Sequence, residues 1–319
     1  MDQMAYADRR RLRRKLTFWR IAAFLLVIAI GFSLYRFAAG DQRDTVRPHV
    51  ARVEISGMIT DNAELFERLD RIANNDQVKA VIVSISSPGG TTYGGERTFK
   101  AIRAIAEKKP VVSDIRTLAA SAGYMIASAG DMIIAGESSI TGSIGVIFQY
   151  PQFDELMKKL GVSHQEIKSA PLKAEPSPFH PASEEATAMI RSMIMDSYDW
   201  FVDLVAERRG LSREETLKLA DGSIYTGRQA LKVKLIDQLG GDKEIRDWLE
   251  TKGVAKDLPV LEWKKKDEGL FLSLPMVVGH AARLMGIEMD LSPESLQRWG
   301  AEKLFLDGLV SVWQVGSDR

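Results

Sequence analysis

Ser121 stands in the run Leu118-Ala119-Ala120-Ser121-Ala122-Gly123-Tyr124, a hydroxyl among small residues. The strand-like run Pro110 to Asp114 gives way there to a helix-like one, Ser121 to Ser128. Such a junction suits a nucleophile. It equally suits a helix cap, because a serine oxygen at a helix start accepts hydrogen bonds from first-turn N–H groups. As a nucleophile Ser121 needs a base, since a neutral hydroxyl attacks poorly. The histidines are His49, His164, His180 and His280. His164 lies in a turn before a strand-like segment and His180 in a proline-rich loop, positions that read as solvated polar residues. Lysine serves as a base when burial lowers its amine pKa from about 10.4 toward neutrality. Lys173, in Ser169-Ala170-Pro171-Leu172-Lys173-Ala174-Glu175-Pro176, has apolar and proline neighbours that could desolvate it, with Lys168 as a nearby competitor. Its plain alternative is a surface-loop lysine.

An acyl-transfer site also needs donors for the developing oxyanion. Ser86-Ser87-Pro88-Gly89-Gly90 follows the apolar run Ala80 to Ile85, and glycines at a strand end let backbone N–H groups approach a ligand closely. The same residues also fit a tight turn between strand and helix. A phosphate loop is excluded, because neither the Gly-Lys-Ser/Thr ending nor the spaced glycines of a dinucleotide fingerprint are present. Thr141-Gly142-Ser143-Ile144-Gly145-Val146 forms a second glycine-bearing turn, otherwise readable as a bend entering a strand.

The elements around these motifs alternate between short β-branched runs and longer amphipathic ones, the pattern of an α/β fold. Val50 to Ser56, Ala80 to Ser86, Val111 to Asp114, Met132 to Ala135, Ile144 to Phe148 and Ser163 to Lys168 read as strands. The second is nearly all apolar, as for a strand covered on both faces. Asn62 to Asn74, Thr98 to Lys108, Phe153 to Leu160, Ser183 to Arg209, Leu211 to Leu219 and Thr226 to Lys232 read as helices. Ser169 to Pro181 carries four prolines and reads as a loop. Beyond Gly253 the charged stretch Trp263 to Asp267 and the apolar stretches Phe271 to Met285 and Ala301 to Trp313 read as surface helices.

At 319 residues with 45% apolar content, the chain has enough material for a substantial core. Lys plus Arg and Asp plus Glu both number 43, so no overall basic field points to nucleic acid. Cysteine is absent, which removes disulfides, thiol nucleophiles and thiolate metal sites. Arg9, Arg10, Arg11, Arg13, Arg14, Lys15 and Arg20 run into the apolar stretch Ile21 to Leu34. Its length lies between a signal-peptide core and a full span. Ala38, Ala39 and Gly40 could mark cleavage, but Arg36 and the flanking Trp19, Tyr35 and Phe37 favour a retained anchor. The reading is a basic cytoplasmic segment at 1–17, a transmembrane anchor at 18–39, a main domain at 50–250 beyond the membrane and an extension at 251–319.

Taken in order, Ser-Pro-Gly-Gly at 87–90, Ala-Ala-Ser-Ala-Gly-Tyr at 119–124, Thr-Gly-Ser-Ile-Gly-Val at 141–146, the Lys173 loop, and Asp221-Gly222-Ser223-Ile224-Tyr225-Thr226-Gly227-Arg228-Gln229-Ala230 leading to Leu235-Ile236-Asp237 resemble the signal peptide peptidase A family. These are membrane-bound serine proteases of peptidase family S49, in the Clp protease and crotonase superfamily. The resemblance covers about Val50 to Asp242 and fits the short, single-copy members. It implies repeated β-β-α units, with Ser121 as nucleophile, Lys173 as general base, the amides of Gly90 and Ala122 as oxyanion donors, and Gly89 and Ser143 in support. The region where Clp-type proteases carry a histidine holds Gly145, Val146 and Ile147, so a Ser-His-Asp triad of that type is absent. Two positions depart from the family pattern. Ala122 replaces the usual glycine, and Leu172 and Ala174 flank Lys173 where an aromatic or polar residue and an aspartate usually stand. The resemblance further implies signal-peptide remnants and other unfolded apolar segments as substrates, a bacterial inner-membrane location, and a homo-oligomeric ring whose sites are shared between protomers. It implies no cofactor or metal. The competing readings are a catalytically silent membrane scaffold and a crotonase-like acyl-CoA enzyme, the latter disfavoured by export.

Overall fold

The computed structural model describes residues 47–264 continuously, together with Val310–Val312 and scattered positions between 17 and 28. Among the described residues no helix is long and apolar enough to cross a membrane. The predicted anchor at 18–39 lies largely outside them.

The centre is a mixed sheet. Strand β1 (His49–Ile59) lies parallel to β2 (Val78–Thr91), and β2 lies parallel to β3 (Val111–Ala120). Helix α1 (Ala63–Ala73) connects the first pair and α2 (Thr92–Ala106) the second. Both helices start where the sequence supplies an oxygen: the side chain of Asn62 accepts from the Leu65 amide, and that of Thr91 from the Gly94 amide. Successive residues of β2 go to opposite faces, as a strand requires. Val81, Val83 and Ile85 join the larger core with Leu69, Ile102, Met125 and Phe201, while Ala80 and Ile82 join a smaller one with Ile245 and Leu249. The near-continuous apolar run at Ala80 to Ile85 thus reflects cover on both faces.

The sheet forks at β3. Val112 to Ile115 pair with β4 (Met132–Ala135), whereas Leu118 to Ala120 pair with β5 (Ile140–Gly142). The hydroxyl of Ser139 donates to the carbonyls of Ile115 and Arg116 where the two ladders part. Short helix α3 (Ala122–Ala127) follows β3, and α4 (Asp154–Leu160), α5 (Glu184–Arg209) and α6 (Arg213–Leu219) come later. Strand β6 (Ile224–Thr226) runs antiparallel to β5 and leads into α7 (Gly227–Lys232), whose capping box joins Thr226 and Gln229.

Four features differ from the sequence reading. Ile144 to Phe148 is not a strand of the sheet; the strand is the earlier β5, and Ile144 and Val146 owe their apolar character to burial beside a cavity. Ser163 to Lys168 is not a strand either. Its alternation arises because Glu166 and Lys168 form ion pairs while Ile167 is fully exposed. Helix α8 (Asp242–Thr251) had no counterpart, although Ile245 and Leu249 cover the second face of the sheet. The extension read as helical contributes two described strands: β8 (Val260–Glu262) adds parallel to β1, and β9 (Val310–Val312) adds antiparallel to β2. Between α7 and α8 lies β7 (Gln238–Leu239), parallel to β4.

Candidate active site

Ser121 occupies the junction of β3 and α3 with φ 57° and ψ −119°, and its side chain makes no capping hydrogen bond. The cap reading therefore fails, although the residue sits at the cap position. A non-glycine residue held there costs about 1–3 kcal/mol and persists only where its surroundings determine it. They do so here. The Ser121 amide donates to the Gly142 carbonyl at 2.9 Å, and the Ser121 carbonyl accepts from the Met125 amide at 2.9 Å. A serine on a strained turn from strand to helix is the geometry of a nucleophile elbow. Small neighbours are required by close packing: a Cβ on Gly95 would lie 3.1 Å from the Ala122 Cβ, and one on Gly123 3.0 Å from the Ser87 carbonyl oxygen.

The far end of α3 is held by two arginines. Arg208 of α5 donates to the carbonyls of Ser128 and Gly130 at 2.8 and 2.9 Å, and Arg103 of α2 donates to that of Ala129 at 2.8 Å. The buried Tyr124 hydroxyl donates to the Leu235 carbonyl at 2.8 Å, and burial raises its pKa. Asp237 accepts from Arg209 through both oxygens and from the Ile133 amide. The Leu235-Ile236-Asp237 motif thus has a structural task, joining α5, β4 and the helix that follows Ser121.

Ser121 opens onto a cavity of about 470 Å3 that also includes Ser143, Ile144, Val146, Ile194, Met195 and Tyr198. Ser143 is the second buried serine here with a positive φ, 51°, and its amide donates to the Ser223 carbonyl at 2.7 Å. The Asp221 carboxylate lies below the ordinary range because the Ser223 hydroxyl and amide donate to it. Gly142, at φ 94°, has no room for a side chain, since a Cβ would come 2.8 Å from the Tyr225 ring. The 221–225 motif therefore shapes the cavity floor. Ile194, Met195 and Tyr198 form a wall that the sequence reading missed. Their spacing on a long amphipathic helix was visible, but not which cavity that face would meet.

The glycines of β2 have distinct roles. Ser87 donates to the Gly57 carbonyl at 2.6 Å and accepts from the Gly89 amide at 3.1 Å, so the Gly89 N–H is engaged within its own turn. Gly90 approaches β1 so closely that a Cβ would lie 1.9 Å from the Ile59 carbonyl oxygen. Ser87 pairs with Ala119, which brings this glycine end of β2 beside the end of β3 that carries Ser121.

The two candidate lysines lie in unlike settings. Lys168 makes ion pairs of 2.5 Å with both Glu166 and Glu175. Hydrogen bonds to those carboxylates raise its pKa, which opposes the neutral amine that a base requires. The same contact, led by the bond from Lys168, holds Glu166 at about 2. His164 and His180 approach Glu166 and Glu175 at 3.0 and 3.3 Å, and neither lines the cavity. Glu166, Glu175 and His180 offer donor atoms within 4.8 Å of one another, yet the Lys168 ammonium already supplies positive charge between the carboxylates. Lys173 is exposed on a turn closed by its amide and the Ala170 carbonyl, and it is not among the residues lining the cavity.

The model of peptidase family S49 matches residues 103–256. A protein of Methanocaldococcus jannaschii named as a protease is 38% identical over 204 residues, 64% of this chain and 66% of that protein. One of Enterococcus faecium named as signal peptide peptidase SppA is 35% identical over 69% of this chain and 68% of its own length. A Synechocystis protein named as a protease is 34% identical over 66% of this chain and 76% of its own length. Together with the strained serine at the mouth of an apolar cavity, these likenesses place the chain: it belongs to peptidase family S49 and is a serine protease.

Proposed function

We propose that the protein is a membrane-anchored endopeptidase that cleaves signal-peptide remnants and other unfolded apolar segments with a Ser121–Lys173 dyad. The observation carrying this reading is Ser121 itself: buried, at φ 57°, without a capping bond, and facing a cavity whose walls include Ile144, Val146, Ile194 and Met195. The Ser121 Oγ attacks the peptide carbonyl carbon while Lys173 Nζ takes the hydroxyl proton. The C–N bond then breaks, the leaving amine receives that proton, and water hydrolyses the ester. The amides of Gly90 and Ala122 hold the oxyanion. An apolar side chain of the substrate fills the cavity. The fold is of the Clp and crotonase kind, the Arg-rich segment and the apolar run after it form the anchor, and the catalytic domain faces away from the cytoplasm.

Lys173 reaches Ser121 from a second copy of the chain in a ring. Its exposure supports this, as does the arm that carries it: Phe153, Leu156, Leu160, Val162, Ile167 and Leu172 are all exposed, Ile167 completely so. An apolar surface of this kind is what a partner subunit covers. Mixing inactive Ser121→Ala and inactive Lys173→Ala proteins tests the arrangement. Recovered peptidase activity supports a site shared between copies; no recovery, with both variants folded and assembled, refutes it.

A further inference from the structure

Strand β9 occupies a particular place on β2. Its residues pair antiparallel with the glycine end, Val310 with Thr91, Ser311 with Gly90 and Val312 with Gly89. The other edge of β2 is already taken there, since Met58 and Ile59 of β1 pair with Gly89 and Gly90. β9 therefore lies on the edge that β3 uses further back. β3 leaves that edge after the Ser87–Ala119 pair, when the chain turns at Ser121 into α3. Val310–Val312 thus enters the sheet where β3 vacates it. Because the strand is antiparallel, its carboxyl end runs toward Ser87 and so toward the Ser121 turn.

An extended peptide added to an open strand edge obtains its affinity from main-chain hydrogen bonds and needs no particular side chains for them. The segment around Val310 to Val312, Gly308-Leu309-Val310-Ser311-Val312-Trp313, is short, apolar and uncharged, the kind of sequence the peptidase reading assigns to substrates. We infer that Val310–Val312 is a built-in competitor: the chain's own tail occupies the β2 edge at Gly89–Thr91 as a substrate peptide would, and substrate must displace it. This rests on the peptidase reading above.

The magnitude follows from tethering. The 45 residues between Lys264 and Val310 tether the segment; at an effective concentration on the order of 1 mM, a segment binding with a Kd of ~0.1 mM would depress kcat/KM about tenfold. Consecutive residues of an antiparallel strand alternate in which N–H faces the neighbour. Ser311→Pro combined with Val312→Pro therefore removes the facing donor whichever residue supplies it.

The experiment uses the full chain carrying both prolines, beside wild type, with an apolar fluorogenic peptide as substrate. The double variant is expected to show a KM about tenfold lower at unchanged kcat. A synthetic peptide of residues 306–316 should inhibit it competitively, and wild type several-fold less. The labelled peptide should also bind the double variant made in a Ser121→Ala background more tightly than Ser121→Ala alone, a readout that needs no turnover. Equal KM values and equal peptide affinity in the two backgrounds would overturn the inference while leaving the dyad standing. Tighter peptide binding to the double variant, with no activity in any form, would support the tail contact and defeat the catalytic reading.

Discussion

The Ser121 amide donates to the Gly142 carbonyl at 2.9 Å, tying the backbone of Ser121 to β5, and through β5 to the Ser223–Tyr225 segment beneath it. The Ser121 turn is thus held by a neighbouring strand as well as by its own helix. That support sustains the strain at Ser121, while close packing of Ala122 on Gly95 and of Gly123 on Ser87 keeps its neighbours small.

Relief of the strain gives a first prediction. Ser121→Gly and Ser121→Ala should both abolish peptidase activity, but only glycine takes φ 57° without penalty. Ser121→Gly should therefore be more stable than Ser121→Ala by about 1 kcal/mol in chemical denaturation. Equal stability would mean the turn is relaxed.

Glycine contacts give a second. Gly90→Ala would place a Cβ 1.9 Å from the Ile59 carbonyl oxygen, in backbone that cannot move aside, whereas Gly145→Ala meets nothing within 4 Å. The first should lose about 3 kcal/mol of stability and the second almost nothing. Comparable denaturation midpoints would contradict this account of why glycine stands at 90.

The motifs were more legible than the connections between them. A near-continuous apolar run disclosed β2 and a helical apolar period disclosed α5, because burial on two faces, or along one stripe, writes directly into residue type. The Leu235-Ile236-Asp237 motif was visible, yet its partners Tyr124, Ile133 and Arg209 are distant in sequence and only the fold brings them together. Ser163 to Lys168 misled because alternation made by ion pairs looks like alternation made by a sheet. Serine at a helix start looked like a cap until its backbone angles and absent capping bond distinguished the two.

The Lys168 cluster gives a third prediction, from pH. Glu166 falls from 4.5 to about 2, so its contribution to stability is complete above 4.5 and is lost as pH drops from 4.5 toward 2. Lys168 is raised from 10.5, so its contribution is complete below 10.5 and is lost as pH rises through its folded value. The loop around Glu175 should then resist proteolysis between about pH 4.5 and 10.5 and loosen in acid. Hydrogen exchange across 163–180 measures this. A loop equally protected at pH 3 and pH 7, or an unchanged profile in Lys168→Met, would contradict it.

Asp237 gives a fourth. It pairs with Arg209 at 2.6 Å and also accepts the Ile133 amide at 2.7 Å. Asp237→Asn should cost about 1–3 kcal/mol and lower the melting temperature, while peptidase activity below that temperature stays near wild type. Loss of activity without loss of stability would give Asp237 a part in the chemistry.

The central claim is that Ser121 is the attacking group, and acylation by a serine-reactive probe tests it most directly. Wild type should carry a single adduct that peptide mapping places on Ser121; Ser121→Ala should carry none, and Lys173→Ala should label far more slowly. An unlabelled wild type, an adduct on another residue, or undiminished labelling of Ser121→Ala would contradict the account.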